Sequence, residues 1–127
     1  MEPFDTLVVH GAVECDPLNH AVNVPIYQTS TYELEHVAPF PEYAYSRVSN
    51  PTRNAVEAQI AALEHGHAGF AFASGMAATT AALMLFKAGD KLLLSSNVYG
   101  GTVNVLEKVL KPFGLTYEMI DTSDLEL

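Results

Sequence analysis

The chain has 127 residues, of which 49% are hydrophobic, and 15 acidic against six basic side chains give it a net charge of −9. This size predicts a single globular domain, and the absence of a Lys/Arg cluster argues against a nucleic acid or an anionic membrane as partner. Cys15 is the only cysteine, which excludes an intrachain disulfide. We expect a cytoplasmic protein, because the N-terminus lacks a signal-peptide pattern and no apolar stretch is long enough to span a membrane.

Residues 1–44 show little helical periodicity, and prolines interrupt their short apolar pieces. Such a segment has no core of its own, so we predict an extended N-terminal arm that lies over another surface. The interrupting prolines are Pro3, Pro17, Pro25, Pro39 and Pro41.

The five histidines do not form a metal-binding pattern. None of them has the His-x-x-x-His spacing of a helical metal site, and no pair of cysteines supplies zinc ligands. His65 and His67 flank Gly66, where a helix is predicted to end, and histidine at that place offsets the helix dipole. We therefore predict no metal site.

The first helix is predicted to begin at Asn50-Pro51. Asn50 suits the N-cap and Pro51 the first helical position. Apolar residues then recur at helical spacing, and the helix is expected to end before Gly66. The recurring residues are Val56, Ile60 and Leu63.

The chain's two arginines lie together in the stretch just before and inside this helix. Arg47 stands in the loop beside Tyr45, and Arg53 falls in the first helical turn. Arginine suits bidentate contact with phosphate or carboxylate, and loops are where binding residues concentrate. Because an acidic chain places both of its arginines here, we predict an anion-binding role for Arg47. Arg53 could have the same role or could simply lie on the helix surface.

A strand, a tight turn and a second helix are predicted next. Residues 69–73 form a short, aromatic-rich apolar run that is typical of a buried strand. Ser74 is the predicted N-cap of a buried, largely apolar helix over residues 76–88, with Gly89 just beyond its end. A helix that starts directly after a strand turns unpaired N–H groups and a positive dipole end outward, at Ser74-Gly75, where an anion such as phosphate binds.

The rest of the sequence predicts two further strands with a helix between them. Residues 91–95 and 116–120 read as strands, Thr102 as the cap of the third helix, and Pro112 with Gly114 as its end. The resulting β-α-β-α-β order indicates an α/β fold with a parallel sheet. Ligands of such sheets bind at the carboxyl ends of the strands, where Ser74, Gly75 and Tyr99 fall.

Three short motifs carry a family resemblance. They are Tyr45-Ser46-Arg47-x-x-Asn50-Pro51-Thr52-Arg53, Ala73-Ser74-Gly75-Met76-Ala77-Ala78 and Tyr99-Gly100-Gly101-Thr102. In this order and spacing the chain resembles the transsulfuration enzymes, which are the pyridoxal-phosphate (PLP) enzymes of Cys/Met metabolism. The resemblance implies the N-terminal arm plus the first βαβαβ part, residues 45–127, of a fold-type I PLP-dependent transferase.

The resemblance also implies which residues bind the cofactor. Tyr45 and Arg47 are expected to bind the PLP phosphate of an adjacent identical subunit, to which the arm crosses within a homotetramer. Ser74 and the N–H groups of Gly75 and Met76 are expected to cradle the phosphate. The ring of Tyr99 is expected to stack on the pyridine.

The resemblance covers only the N-terminal third of the family's length and leaves out one essential group. The family's Schiff-base lysine stands in a Ser-x-Thr-Lys context well downstream, which implies a position beyond Leu127. The lysines present, Lys87, Lys91, Lys108 and Lys111, lie in no such context. We therefore expect no catalytic residue in this chain and no turnover by the chain alone.

The family members are distinguished by a few positions. Gly101 stands where methionine γ-lyases have cysteine, which disfavours that member, while Asn97 and Asn104 depart from common family residues. The resemblance implies γ-elimination or γ-replacement on cystathionine, homocysteine/cysteine or O-acyl-homoserine substrates, with cystathionine γ-lyase or γ-synthase as first choice. O-acetylhomoserine sulfhydrylase and cystathionine β-lyase are alternatives, and a non-catalytic module that binds a phosphate ligand or a partner chain is the hypothesis from another class.

Overall fold

The computed structural model describes residues 3–11, 15–34, 36, 38–39 and 41–124. They form two compact units that divide between Ala71 and Phe72. None of the helices in this described part is long and apolar enough to cross a membrane. The elements are α1 (Phe4–His10), α2 (Pro51–Leu63), α3 (Gly75–Leu83), β1 (Lys91–Ser95), α4 (Gly100–Val105), a π-helical segment (Leu106–Leu110), a 3-10 turn (Lys111–Phe113) and β2 (Thr116–Ile120).

Helix α2 organises the first unit and begins where the sequence predicts. The side-chain Oδ1 of Asn50 accepts hydrogen bonds from the N–H of Thr52 at 2.9 Å and of Arg53 at 3.4 Å, with Pro51 at the first helical position. The helix ends at Leu63, before Gly66 as predicted. His65 supplies the left-handed residue after it, with φ of 52°.

The predicted extended arm is wrong at its beginning, where α1 forms a seven-residue helix. A helix this short is marginal by itself and depends on tertiary contacts. The side chain of Gln59 on α2 supplies one, donating to the carbonyl oxygens of Leu7 and, at 3.1 Å, Val8. Described residues 15–34 form no regular helix or strand, and residues 1–2, 12–14, 35, 37 and 40 of the predicted arm lie outside the described residues.

The second unit contains a parallel βαβ arrangement. Strands β1 and β2 pair in parallel, with Lys91 opposite Thr116 and Ser95 opposite Ile120. Both strands lie at their predicted positions. Leucines from α3, from the π-helical segment and from the residue just before β2 make the buried core, consisting of Leu83, Leu106 and Leu115. The α/β fold class is confirmed.

The first predicted strand, residues 69–73, is not formed among the described residues. The backbone N–H of Ala71 donates to the Glu57 Oε1 atom at 2.8 Å instead of to a neighbouring strand. Gly69 lies directly on α2, where an added Cβ would stand only 2.3 Å from the Glu57 carbonyl oxygen. Contact with α2 thus occupies the Ala71 N–H, and the sheet formed by the described residues has two strands instead of three.

The second predicted helix ends earlier than its apolar pattern indicates and is less buried. Helix α3 stops at Leu83 instead of residue 88, and of its residues only Leu83 is buried. The Asp90 Oδ2 atom accepts from the N–H of Lys87 at 2.8 Å, which favours a turn over continued helix. Gly89 is left-handed as a helix-ending glycine would be, at φ of 95°, but it lies in the turn before β1.

The third helix also begins differently from its prediction. It starts at Gly100, with Tyr99 in the N-cap position, so Thr102 is a buried helical residue and not the cap. The chain enters the helix directly after Tyr99, whose own backbone is not helical, with φ of −54° and ψ of 130°. The predicted end is confirmed, because Pro112 lies in the 3-10 turn and Gly114 follows with φ of 89°.

Glu107 links the π-helical segment to β2. Its carboxylate accepts from Lys111 Nζ at 2.9 and 3.0 Å and from the Tyr117 hydroxyl at 2.9 Å. The hydrogen bond from Lys111, followed by that from Tyr117, lowers the pKa of Glu107. The same carboxylate raises the pKa values of both partners. The three side chains tie a helical face to the strand beside it.

Replacing the most buried core side chain is expected to destabilise the protein. Leu106 is 1% exposed, so Leu106→Ala should lower the free energy of unfolding by about 2–5 kcal/mol through lost burial and a cavity. Urea unfolding followed by circular dichroism measures this. Val109→Ala, at a position 48% exposed, is the matched control. Equal losses for the two variants would contradict the core assignment.

The Glu107 cluster predicts a specific pH dependence. Because the folded-state pKa of Glu107 lies below its ordinary value of 4.5, its stabilising contribution is present above that ordinary value and is lost as the pH falls through the folded-state pKa. Carboxyl carbon NMR should give a titration midpoint below 4.5, and Lys111→Met should move it upward. Glu118, whose pKa Lys91 lowers, should not move. A wild-type midpoint at the ordinary value would disprove the linkage.

Candidate functional site

The loop that carries Tyr45 and Arg47 is held by a short antiparallel contact and a tight turn. Tyr45 pairs with Thr31 in an isolated bridge, and the N–H of Ser46 donates to the Ser30 carbonyl at 2.9 Å. The carbonyl oxygen of Tyr45 accepts from the N–H groups of Val48 at 2.9 Å and Ser49 at 3.1 Å. Residues 45–49 therefore form a compact turn with its backbone largely paired.

Asn50 connects this turn to α2. While its Oδ1 atom caps the helix, its Nδ2 atom lies at hydrogen-bond distance from three oxygens: the Tyr27 carbonyl at 3.1 Å, the Tyr32 hydroxyl at 3.2 Å and the Ser46 hydroxyl at 3.1 Å. One side chain thus joins the helix start, the turn and the segment before it. Sequence reasoning found the cap and missed the second role, because its partners lie up to 23 residues away in the chain.

Arg53 stabilises this turn through hydrogen bonds to its carbonyl oxygens. Its guanidinium donates to the carbonyl oxygens of Ser46 at 3.1 Å, Arg47 at 3.4 Å and Val48 at 2.5 Å. Its Nε atom lies 3.6 Å from Glu57 Oε1. Arg53 is therefore not a surface residue of the first helical turn, the simpler of the two interpretations from sequence, but the donor that fixes the loop's carbonyl groups.

Arg47 keeps its charge available at the outside of this turn. It is exposed, and its guanidinium carbon lies 4.8 Å from the centroid of the half-buried Tyr45 ring. This cation–π contact orients the guanidinium without neutralising it. Among the described residues Arg47 forms no salt bridge, whereas Arg53 is paired with Glu57. The arrangement presents a cation and a phenol side by side.

The second group of predicted residues lies at the start of α3. The Ser74 Oγ atom accepts from the N–H of Ala77 at 3.1 Å and caps the helix as predicted. Within the described residues, the N–H groups of Gly75 and Met76 have no hydrogen-bond acceptor. No heavy atom outside its chain neighbours lies within 4 Å of a Cβ built on Gly75. The helix end therefore presents two free donors and a hydroxyl to open space, as an anion site requires.

Tyr99 lies beside this helix end. Its side chain is 72% exposed. Its ring edge and the Met76 sulfur both lie close to the position that a Cβ on Gly101 would occupy. The structure thus brings Ser74, Gly75, Met76 and Tyr99 together within the second unit, and Tyr45 with Arg47 within the first. An aromatic face next to an anion-binding helix end suits a flat ligand that carries a phosphate group.

The titratable groups of the described residues form no other recognisable site. No three His, Cys, Asp or Glu side chains cluster there in a way that could hold a metal ion. Each of the four lysines is at a different place in the element order from the α3 N-terminus. Lys87 follows the far end of α3, Lys91 opens β1, and Lys108 and Lys111 follow α4.

Comparisons with known proteins match the chain to one family. The family model of Cys/Met metabolism PLP-dependent enzymes matches residues 5–127. The chain is 49% identical over 126 residues to a cystathionine β-lyase of Lactococcus lactis subsp. cremoris, covering 99% of this chain and 33% of that protein. It is 50% identical over 121 residues to the cystathionine γ-lyase of Bacillus subtilis strain 168, covering 95% and 32%.

A solved structure extends the likeness to three dimensions. The crystal structure of cystathionine γ-lyase from Lactobacillus plantarum complexed with L-serine matches with a TM-score of 0.86 and 48% sequence identity. The match covers 98% of this chain and 32% of that one. The chain therefore spans about a third of the length of the relatives it matches.

The two roles of Asn50 predict separable effects of two substitutions. Asn50→Ala removes both the cap and the three donor contacts, whereas Asn50→Asp keeps the capping oxygen and removes the donors. Loss of the cap should lower the free energy of unfolding by about 1 kcal/mol in the alanine variant alone. Both variants should speed amide hydrogen exchange at Val48 and Ser49, measured by NMR. Wild-type exchange in Asn50→Asp would contradict the linking role.

Proposed function

Because this chain belongs to the Cys/Met metabolism PLP-dependent enzyme family, we propose that it supplies the cofactor-phosphate and ring-stacking residues of a PLP-dependent enzyme acting on sulfur amino acids. The observation that carries the proposal is the Ser74-capped N-terminus of α3, with two free amide donors beside the exposed ring of Tyr99. When bound, PLP acts as an electron sink for charge that develops on the substrate.

The phosphate-binding role falls to Ser74, Gly75 and Met76. The N–H groups of Gly75 and Met76 donate to phosphate oxygens, and the positive end of the α3 dipole favours the negative charge. Because Ser74 Oγ uses its acceptor capacity on the N–H of Ala77, its hydroxyl hydrogen is free to donate to the ligand. The absence of a side chain at Gly75 lets the phosphate approach the backbone.

Arg47 and Tyr45 complete the phosphate site from a neighbouring identical subunit. The exposed guanidinium, oriented by the Tyr45 ring at 4.8 Å, supplies a positive charge in a chain of net charge −9. Charge-assisted hydrogen bonds of this kind contribute about 1.5–3 kcal/mol each. The Tyr45 hydroxyl adds a neutral donor. Each site then depends on two chains, and the arm contributes to their contact.

None of this chain's four lysines is the residue that binds the cofactor covalently. Lys91 is paired with Glu118 at 2.5 Å and Lys111 with Glu107 at 2.9 Å. Lys87 and Lys108 are exposed residues beyond the ends of α3 and α4. None of them is placed at the α3 N-terminus beside Tyr99. The chain alone is therefore inactive, and it functions as part of a site whose lysine lies further along a full-length enzyme.

The reaction of the whole enzyme is elimination or replacement on a cystathionine-type substrate. We favour cystathionine γ-lyase or γ-synthase chemistry, and similarity to the Bacillus subtilis γ-lyase at 50% identity supports this choice. Cystathionine β-lyase is the second candidate, supported by 49% identity to the Lactococcus lactis enzyme. The products distinguish them, because γ-elimination of cystathionine releases cysteine and β-elimination releases homocysteine.

Titration of the 127-residue chain with PLP tests the phosphate site. PLP should bind more tightly than pyridoxal, which lacks the phosphate, and Arg47→Ala or Ser74→Ala should each weaken PLP binding by about tenfold. Lys108→Ala should bind as the wild type does. Equal affinity for PLP and pyridoxal would rule out the phosphate site. Turnover of cystathionine by this chain would contradict the prediction that the chain alone is inactive.

Mixing two variant chains tests whether the site is shared between subunits. An assembly of Arg47→Ala and Ser74→Ala chains contains a site with an intact Ser74 from one chain and an intact Arg47 from the other. Tight PLP binding should therefore return in the mixture, at up to half of the sites. If no tight sites return, Arg47 does not act across subunits.

A further inference from the structure

Glu57 on α2 receives two donors at one carboxylate oxygen. Its Oε1 atom accepts from the backbone N–H of Ala71 at 2.8 Å and lies 3.6 Å from the Nε atom of Arg53. The side chain of Glu57 is only 22% exposed. An exposed ion pair at this helical spacing contributes little by itself. The backbone donor, 14 residues further along the chain, is what distinguishes Glu57 from an ordinary surface glutamate.

The Ala71 amide restricts where the Glu57 carboxylate can lie. If the side chain turned to another rotamer, the N–H of Ala71 would lose its hydrogen bond to a charged acceptor. Hydrogen bonds of this kind are stronger than those between neutral groups. The Glu57 carboxylate is therefore held beside Arg53 more firmly than helical spacing alone would hold it.

Arg53 connects Glu57 to the turn of residues 45–49. Its terminal guanidinium nitrogens donate to the carbonyl oxygens of Ser46, Arg47 and Val48, while its Nε atom faces Glu57. A guanidinium group is planar and rigid, with its donors in fixed directions. A partner at the Nε edge therefore determines the directions in which the terminal nitrogens point.

Glu57 also gives the two arginines different roles. It balances the charge of Arg53, whereas Arg47 forms no salt bridge within the described part of the chain. Without the carboxylate, Arg53 would be a second unpaired cation, able to leave the carbonyl oxygens of the turn for solvent or for an anion. The pairing keeps Arg53 on the turn and leaves Arg47 as the cation that is available to a ligand.

We infer that Glu57 is a positioning residue for Arg47. It orients Arg53, and Arg53 in turn fixes the turn that carries the exposed guanidinium of Arg47. This inference rests on the proposed function, in which Arg47 binds the cofactor phosphate. It assigns a role to a carboxylate that itself contacts no ligand.

The effect on the turn can be measured in the chain without cofactor. Glu57→Ala should speed hydrogen exchange, followed by NMR, at the Arg53 Nε–H and at the amides of Val48 and Ser49, because Arg53 loses the group that orients it. Glu57→Gln keeps an acceptor oxygen and should lie between the wild type and the alanine variant. The matched control is Glu64→Ala, which removes the same charge from an exposed residue just after α2 and should exchange as the wild type does.

Wild-type exchange at these three sites in Glu57→Ala would overturn the inference. Circular dichroism establishes that each variant is folded. If Glu57→Ala does not fold, the comparison of Glu57→Gln with the wild type decides in the same way, and unchanged exchange at the Arg53 Nε–H would again overturn it.

PLP affinity in a mutant cycle separates positioning from general destabilisation. Glu57→Ala should weaken PLP binding by about threefold to tenfold, at most as much as the loss of Arg47 itself. It should have no further effect in an Arg47→Ala background, and its full effect in a Ser74→Ala background, because Ser74 does not depend on the turn. A variant that only destabilises the fold would weaken binding in both backgrounds.

The same cycle distinguishes failure of the inference from failure of the proposed function. If Arg47→Ala binds PLP as the wild type does, the proposed phosphate-binding role of Arg47 fails. If Arg47→Ala weakens binding but Glu57→Ala does not, or if Glu57→Ala weakens it equally in both backgrounds, only the positioning role fails.

Discussion

The side-chain amide of Asn50 is the interaction on which the first unit depends. Its oxygen satisfies two N–H groups at the start of α2, and its nitrogen lies at hydrogen-bond distance from oxygens of Tyr27, Tyr32 and Ser46. A helix start always leaves N–H groups unpaired, and here the group that satisfies them also fixes the neighbouring loop. Arg53, one helical turn later, completes the arrangement by donating to the loop's carbonyl oxygens. The exposed guanidinium of Arg47 is thereby carried on a turn whose own backbone is already paired.

The second unit also has a capped helix start, but there the cap leaves backbone N–H groups unpaired. At α2 the N-terminal donors are used internally, whereas at α3 the Ser74 cap takes one N–H group and leaves those of Gly75 and Met76 open. A chain with a net charge of −9 attracts few anions by its overall field. Binding of a phosphate group to such a chain therefore requires local donors, and the open backbone amides at the start of α3 are donors of this kind.

The second unit is built on a small hydrophobic core. Leu83, Leu106 and Leu115 are the buried hydrophobic side chains among the described residues. Helices α3 and α4 meet around this core, and their N-terminal ends are where Met76, Tyr99 and Gly101 come together.

Local signals in the sequence determined the starts of α2 and α3, the positions of the two strands, and the family. Asn50-Pro51 and Ser74-Gly75 specify helix caps through their own side chains, and the apolar runs at residues 91–95 and 116–120 specify strands, because these choices depend on near neighbours. The rest was decided by contacts between residues far apart in the chain. Glu57 accepts from the Ala71 amide within residues 69–73, which form no strand, and Gln59 supports a helix at Leu7 where the sequence predicts an extended arm. Hydrogen-bond partners 14 to 52 residues apart leave no local pattern, and only the tertiary structure brings them together.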